Sequence, residues 1–177
     1  MTLFALTGTP GVGKTTISKG LRAKGYDVID LHQYIVDNGL LGSFDKKMDS
    51  FNVDTCALSG SLEHLKNEEH TVILDGHLAH FVDCDTIIVI RCAPSVIYER
   101  LERRGYDHEK ILENVQAEVL DVILCESIDT GLPTFEIDCT SLTVDESVER
   151  TEDIIHKKTN DYQPGNVNWT EEMEKWF

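Results

Sequence analysis

Three short stretches of this chain carry residues whose types and spacing suit chemistry on phosphate. The first is Gly8-Thr9-Pro10-Gly11-Val12-Gly13-Lys14-Thr15-Thr16. Glycines let successive backbone N–H groups turn inward around an anion, and a helix beginning at the loop's end adds its unpaired amides and positive dipole end. A lysine in the sixth place after the first glycine supplies a point charge for β- and γ-phosphates, and the hydroxyl after it is placed to ligate Mg²⁺. An apolar run before the loop and a helical pattern after it complete the strand, loop and helix order of a P-loop. A nucleoside triphosphate is the expected ligand.

The second stretch is Asp75-Gly76-His77, directly after the β-branched run Thr71-Val72-Ile73-Leu74. An acid closing a buried strand lies at the carboxyl end of the sheet, where α/β folds bind ligands. With a P-loop upstream, Asp75 reads as a Walker-B-type acid holding Mg²⁺ directly or through water; the plainer reading is an aspartate capping a turn. His77 either orients a water or a phosphate, or is an ordinary polar loop residue. The third stretch holds Arg100 and Arg104, four residues apart and so on one helix face, stopped by Gly105. Such a pair suits clamping triphosphate oxygens or stacking on a base; the plainer reading is surface pairing with Glu99, Glu102 and neighbours.

The elements that must position these groups follow from hydrophobic period. Strands are expected at residues 3–6, 26–30, 71–75, 86–91 and 134–138, with helical spacing between them. Pro94 suits the first position of a helix that carries both arginines. A long amphipathic helix is expected from about residue 110 through Ile123, and Thr143-Val144-Asp145-Glu146 is a capping box opening a helix to about Lys158. Residues 31–38 read as a helix ended by Gly39, residues 40–52 as mostly loop, and residues 53–65 as helical again. A final short helix is expected from Trp169 to Phe177, docking through Trp169, Met173 and Trp176. Alternating strands and helices predict one α/β domain with a five-stranded parallel sheet. The excursion at about 31–65, on the ligand side, is where substrate specificity is expected.

The chain has 177 residues, 16 basic and 32 acidic, for a net charge of −16. The charge is uneven: 11 basic and 14 acidic residues precede Gly105, whereas 5 basic and 18 acidic follow Arg104. An acidic half repels a phosphate backbone, so direct general nucleic-acid binding is not expected. A basic protein partner, or solubility alone, accounts for it. The five cysteines form no Cys-x-x-Cys pair and no zinc spacing, which fits free thiols in a reducing cytoplasm. No apolar stretch suits a signal peptide or a membrane span.

Taken together, the glycine loop, Val72-Ile73-Leu74-Asp75-Gly76-His77, Tyr98-Glu99-Arg100-Leu101-Glu102-Arg103-Arg104-Gly105-Tyr106 and Asn114-Val115-Gln116-Ala117-Glu118 resemble the P-loop nucleoside monophosphate kinases. More narrowly, they resemble the adenylate kinase isoenzyme 6 family of archaea and eukaryotes, small adenylate kinases with ATPase activity and a role in maturing the small ribosomal subunit. The resemblance implies that Gly11, Gly13, Lys14, Thr15 and Thr16 bind the ATP phosphates and Mg²⁺. It implies that Arg104 opens a short lid at about 104–114 and reaches the phosphates, that Arg100 flanks the adenine, and that Asp75 and His77 form a modified Walker B motif. It further implies that segment 31–65 replaces the nucleoside-monophosphate-binding segment, and that a basic small-subunit ribosomal protein is a partner. One departure stands out: no arginine lies between Arg22 and Arg91, where monophosphate kinases commonly grip the AMP phosphate. Arg91, Lys46 and Lys47 are the candidate substitutes. The expected reaction is Mg²⁺-dependent transfer of the ATP γ-phosphoryl to AMP, with slower transfer to water. The alternatives are a nucleotide-gated assembly factor, and a kinase for a hydroxyl substrate with Asp30 as base.

Overall fold

A computed structural model of the chain describes residues 2–45, 50–67 and 70–177. Its centre is a five-stranded sheet in the order β2-β5-β1-β6-β7. The strands are β1 (Leu3–Thr7), β2 (Asp27–Asp30), β5 (Val72–Asp75), β6 (Thr86–Arg91) and β7 (Thr134–Asp138). Every pairing in it is parallel. Parallel strands need crossovers, and the helices that supply them cover both faces, which is why the three inner strands β5, β1 and β6 are near-continuous apolar runs.

The two-residue period of a strand divides those side chains between two cores. Phe4, Leu6, Ile73, Ile88 and Ile90 point to one face, where they meet α1 (Lys14–Ala23), α4 (Pro94–Arg103), α5 (His108–Val119) and α7 (Val144–Ile155). Leu3, Ala5, Val72, Leu74, Ile87 and Val89 point to the other, against α2 (Leu31–Asp37), α3 (Thr55–Ser61) and α6 (Val122–Asp129). Each fully buried leucine or isoleucine contributes about 1.5–3 kcal/mol relative to exposure.

The expected five strands all form, and the capping box at Thr143 and Glu146 is present with both of its hydrogen bonds. Four expectations are corrected. Residues 40–52 are not mostly loop: β3 (Leu41–Asp45) and β4 (Ser50–Val53) pair antiparallel, with Phe44 opposite Phe51 and their rings edge-on at 5.0 Å. A register shift between Leu41 and Phe44 spoils the alternation that would have marked these strands. Lys46 and Lys47 lie outside the described residues. The helix of residues 53–65 is shorter, running Thr55–Ser61 with Asp54 as its cap and a 3₁₀ turn over Glu63–Asn67. The long helix through Ile123 is broken at Asp121, whose φ of 54° is left-handed and whose carboxylate pairs with Arg91. The C-terminal helix shrinks to α8 (Thr170–Met173). Among the described residues no helix is long and apolar enough to cross a membrane.

Candidate active site

The glycine loop leaves the end of β1, at the middle of the sheet, and runs into α1. Gly8 has a φ of 139°, and a Cβ there would stand 2.3 Å from the Ile90 carbonyl oxygen, so only glycine lets the loop lie against β6. Gly13, with a φ of 117°, is the residue before α1, and no side chain caps that helix start. The first-turn amides and the dipole end therefore point at whatever the loop encloses. Lys14 folds back along the loop: its Nζ donates to the carbonyl oxygen of Gly8 and, at 3.1 Å, to that of Thr9. Thr15 and Thr16 are exposed at the first turn of α1.

The charge on Lys14 is under pressure. Part of the residue remains open to solvent, yet the protein atoms packed about it pull its pKa down to about 8. Asp75 and Glu118 oppose this shift, and Arg104 reinforces it. The charges of Asp75, Glu118 and Arg104 thus all bear on one lysine, although they come from β5, α5 and the end of α4.

Asp75 ends β5 and stands in register with Asp30 at the end of β2. Burial raises its pKa and the Asp30 charge adds to that, while Ser18, Lys14 and Arg22 act the other way. Ser18 lies close to the carboxylate without full hydrogen-bond geometry. Its buried Oγ and Trp176 Nε1 are the two such side-chain atoms without a partner among the described residues. Asp30 itself caps α2, its Oδ1 accepting from the Gln33 N–H at 3.0 Å.

His77 sits at the rim with part of its ring in water. Crowding by protein atoms disfavours the imidazolium first, and the charges of Lys14, His80, His32 and Lys110 add to that, lowering its pKa to about 4. With a face open to solvent, the direction of the shift decides the chemistry: His77 is a neutral imidazole at pH 7. The turn that carries it is fixed from below. Thr7 Oγ1 donates to the His77 carbonyl oxygen at 3.3 Å and lies 3.0 Å from His80 Nδ1. His80 Nε2 in turn lies 3.1 Å from Glu126 Oε2.

Both arginines of α4 reach the loop. Arg100 donates from one guanidinium nitrogen to the carbonyl oxygens of Gly11 and Val12, each at 3.0 Å, and contacts Cys92 Sγ at 3.5 Å. Arg104 ends α4 ahead of Gly105 and stays exposed. Its charge bears on Lys14, whereas Arg103 pairs outward with Glu99 at 3.2 Å. All nine candidate residues therefore border one region: Gly11, Gly13, Lys14, Thr15 and Thr16 in the loop, Asp75 and His77 after β5, and Arg100 and Arg104 on α4.

Arg91 is corrected. It is 1 % exposed and its guanidinium is taken up by Glu118 at 2.7 Å, Glu136 at 3.0 Å and Asp121. It cannot grip a phosphate on the acceptor side. Sequence reading also missed His32 and Lys110 beside His77, and Thr9 and Glu118 beside Lys14. A lone histidine in α2 and a lysine paired with Glu113 at 2.9 Å carry no motif; only the folding of α2 and α5 over the sheet brings them in.

The donor set suits a hard cation. Among the described residues no group of three or more His, Cys, Asp and Glu converges as a tightly held metal requires. A threonine hydroxyl and a single carboxylate instead match Mg²⁺, which keeps several waters and takes its other oxygens from phosphate.

Comparison with known proteins agrees with this geometry. A family model described as an AAA domain matches residues 5–121. A protein of Methanocaldococcus jannaschii named "Putative adenylate kinase" is 47 % identical over 98 % of this chain and 94 % of its own length. One of the same name from Thermococcus gammatolerans is 39 % identical over 96 % of this chain and 93 % of its own. Among solved structures, deoxyadenosine kinase from M. mycoides overlays with a TM-score of 0.57 at 19 % identity, covering 88 % of this chain and 99 % of its own. Shikimate kinase from Acinetobacter baumannii overlays at 0.61 with 13 % identity, covering 89 % and 94 %. At such identity these two speak for the fold alone. Identity at 39–47 % over nearly the whole length speaks for kinship, and the chain belongs to this archaeal adenylate kinase family, phosphotransferases built on the P-loop nucleoside monophosphate kinase fold.

Proposed function

We propose that the protein is a Mg²⁺-dependent adenylate kinase of the isoenzyme 6 type, transferring the ATP γ-phosphoryl to AMP and, more slowly, to water. The observation that carries this reading is the glycine loop itself, packed by Gly8 against β6, opening into the uncapped first turn of α1 and held by Arg100 at the carbonyl oxygens of Gly11 and Val12. Phosphoryl transfer asks a protein chiefly for positioning and for neutralising charge on the transferred oxygens.

The loop N–H groups around Gly11 and Gly13 and the first turn of α1 hold the ATP phosphates, and Lys14 and Arg104 share the developing charge. Thr15 and Asp75 hold Mg²⁺, which neutralises phosphate charge when bound. Thr16 extends the phosphate contacts, and Arg100 braces the loop and flanks the adenine. AMP is already anionic and needs no strong base. Water is a poorer nucleophile, and the neutral His77 imidazole offers an acceptor nitrogen that orients it. Residues 31–65 bind the acceptor and residues 104–114 act as a short lid. With Arg91 committed internally, His32 and Lys110, whose charges bear on His77, are our candidates to meet the acceptor phosphate. A hydroxyl kinase is the poorer reading, since the base it would require, Asp30, is engaged in capping α2.

The family resemblance and the acidic C-terminal half support a further role in the cytoplasm, in maturing the small ribosomal subunit through a basic ribosomal protein. A nucleotide-gated assembly factor is the second reading, and capture of that protein with and without ATP separates it from a plain kinase. The primary test is to incubate the protein with Mg·ATP, with and without AMP, and count ADP. Transfer yields two ADP per ATP consumed and hydrolysis one. Lys14→Ala should abolish both, and an AMP-independent ratio of one would overturn the kinase assignment.

A further inference from the structure

The C-terminal segment has no part in the chemistry above, yet it is fastened to the machinery at several points. Glu136 Oε1, at the centre of β7, accepts three successive backbone N–H groups, from Gly165 at 2.8 Å, Asn166 at 2.7 Å and Val167 at 3.0 Å. Its other oxygen accepts from Arg91 at 3.0 Å. Arg91 Nε donates to Glu118 Oε1 at 2.7 Å, and the Trp169 indole N–H donates to the same oxygen at 3.2 Å. The Arg91 guanidinium also lies 5.9 Å from the centre of the Trp169 ring. The remaining oxygen, Glu118 Oε2, accepts from Thr9 Oγ1 at 2.6 Å, inside the glycine loop. Further along, Glu172 accepts from the Ser95 N–H and hydroxyl, and the Trp176 carbonyl accepts from Gln116 at 2.8 Å.

From this we infer that Glu118 is a positioning residue through which the glycine loop and the C-terminal strap set each other's conformation, so that triphosphate in the loop is felt at Trp169. The inference rests on the loop binding the phosphates of ATP, as proposed above. Its physical basis is the scarcity of alternatives in a buried network. Glu118 and Glu136 are each 3 % exposed and share one guanidinium. Their remaining lone pairs must be met by the strap amides, the indole and the Thr9 hydroxyl. Such bonds are strong in a low dielectric and polarise one another, so moving Thr9 changes what Glu118 offers Arg91 and Trp169. Thr9 cannot move alone, because its carbonyl oxygen accepts from Lys14, the residue the phosphates engage. Glu118 also favours the charged form of Lys14.

The chain contains two tryptophans, so Trp176→Phe leaves Trp169 as the single indole reporter. In that background Mg·ATP should shift Trp169 emission, saturating at the dissociation constant found by calorimetry. Adding Thr9→Val keeps shape but removes the donor; it should abolish the emission change and raise KM for ATP by about tenfold, with kcat changed far less. Thr9→Ser restores the hydroxyl and should return both readouts to within about twofold of the parent. Calorimetric binding with unmoved Trp169 emission would overturn the coupling alone. So would a Thr9→Val protein that only melts earlier, with KM unchanged. Absence of any ATP binding would overturn the kinase reading and this inference with it.

Discussion

Thr9 and Glu118 are 109 positions apart in the chain and meet in a buried hydrogen bond of 2.6 Å. The bond joins the glycine loop to α5, which packs beside α4. The loop is thus held from three directions: by Lys14 within it, by Arg100 from α4 and by Glu118 from α5. A phosphate cradle whose shape is fixed in advance loses little to ordering when the phosphates bind.

Lys14 should give the reaction a basic limb. Burial lowers its pKa to about 8, so in the free enzyme it is cationic below that pH and neutral above it. The value of kcat/KM for ATP should therefore fall as pH rises through about 8. Lys14→Arg, whatever its lower activity, should lose this limb, because a guanidinium does not titrate there. A wild-type profile flat to pH 10 would count against Lys14 as the charge that ATP meets.

His77→Ala should slow ATP hydrolysis by about 10²-fold, the lower end of what an orienting or proton-accepting group supplies, and slow transfer to AMP much less. Its pKa is lowered to about 4. Between that pH and its ordinary value near 6.5 the unfolded chain binds more protons, so stability conferred by the neutral form declines as pH falls through this window. Hydrolysis should show no loss near pH 6.5 from His77 protonation. Equal loss of both reactions in the alanine variant would sink the assignment.

Gly8→Ala should unfold or severely destabilise the protein, by about 3 kcal/mol or more, from left-handed strain and collision with backbone. The obstacle is the Ile90 carbonyl oxygen, 2.3 Å from the new Cβ. A denaturant midpoint within error of wild type would show that the loop can lift off β6.

Thr143→Ala should cost about 1 kcal/mol by removing the N-cap of α7, lowering Tm by about 3 °C. The hydroxyl accepts from the Glu146 N–H at 3.3 Å. Phosphotransfer should be unaffected, since α7 packs against α1 and β7 away from the loop mouth. A change in KM for ATP would place α7 in the nucleotide response.

Local signals were legible where one stretch of chain is sufficient to specify the outcome. The glycine loop, the acid ending β5 and the box at Thr143 depend on neighbours within a few residues. The β3–β4 ribbon was hidden because its register slips between Leu41 and Phe44 and its aromatic pair faces solvent. Asp121 was hidden for a different reason. Nothing in the helical period forbids α5 from continuing through Leu120; the left-handed turn there accompanies a partner, Arg91, from a strand 30 positions earlier.

The sequence by itself determined the five strands and their parallel arrangement, and singled out Lys14, Asp75, His77 and Arg104 as the candidates for chemistry on phosphate. Hydrophobic period, turn residues and motif spacing are properties of the local chain. Only the tertiary structure decided what Arg91 does. By type and position it was a candidate for an acceptor phosphate; burial between Glu118 and Glu136 commits it to the fold. A guanidinium has one set of donors, and which carboxylates reach them depends on how β6, β7 and α5 pack. The same packing ties the C-terminal strap to the glycine loop through Glu118, a relation between residues 9 and 169 that no local pattern encodes.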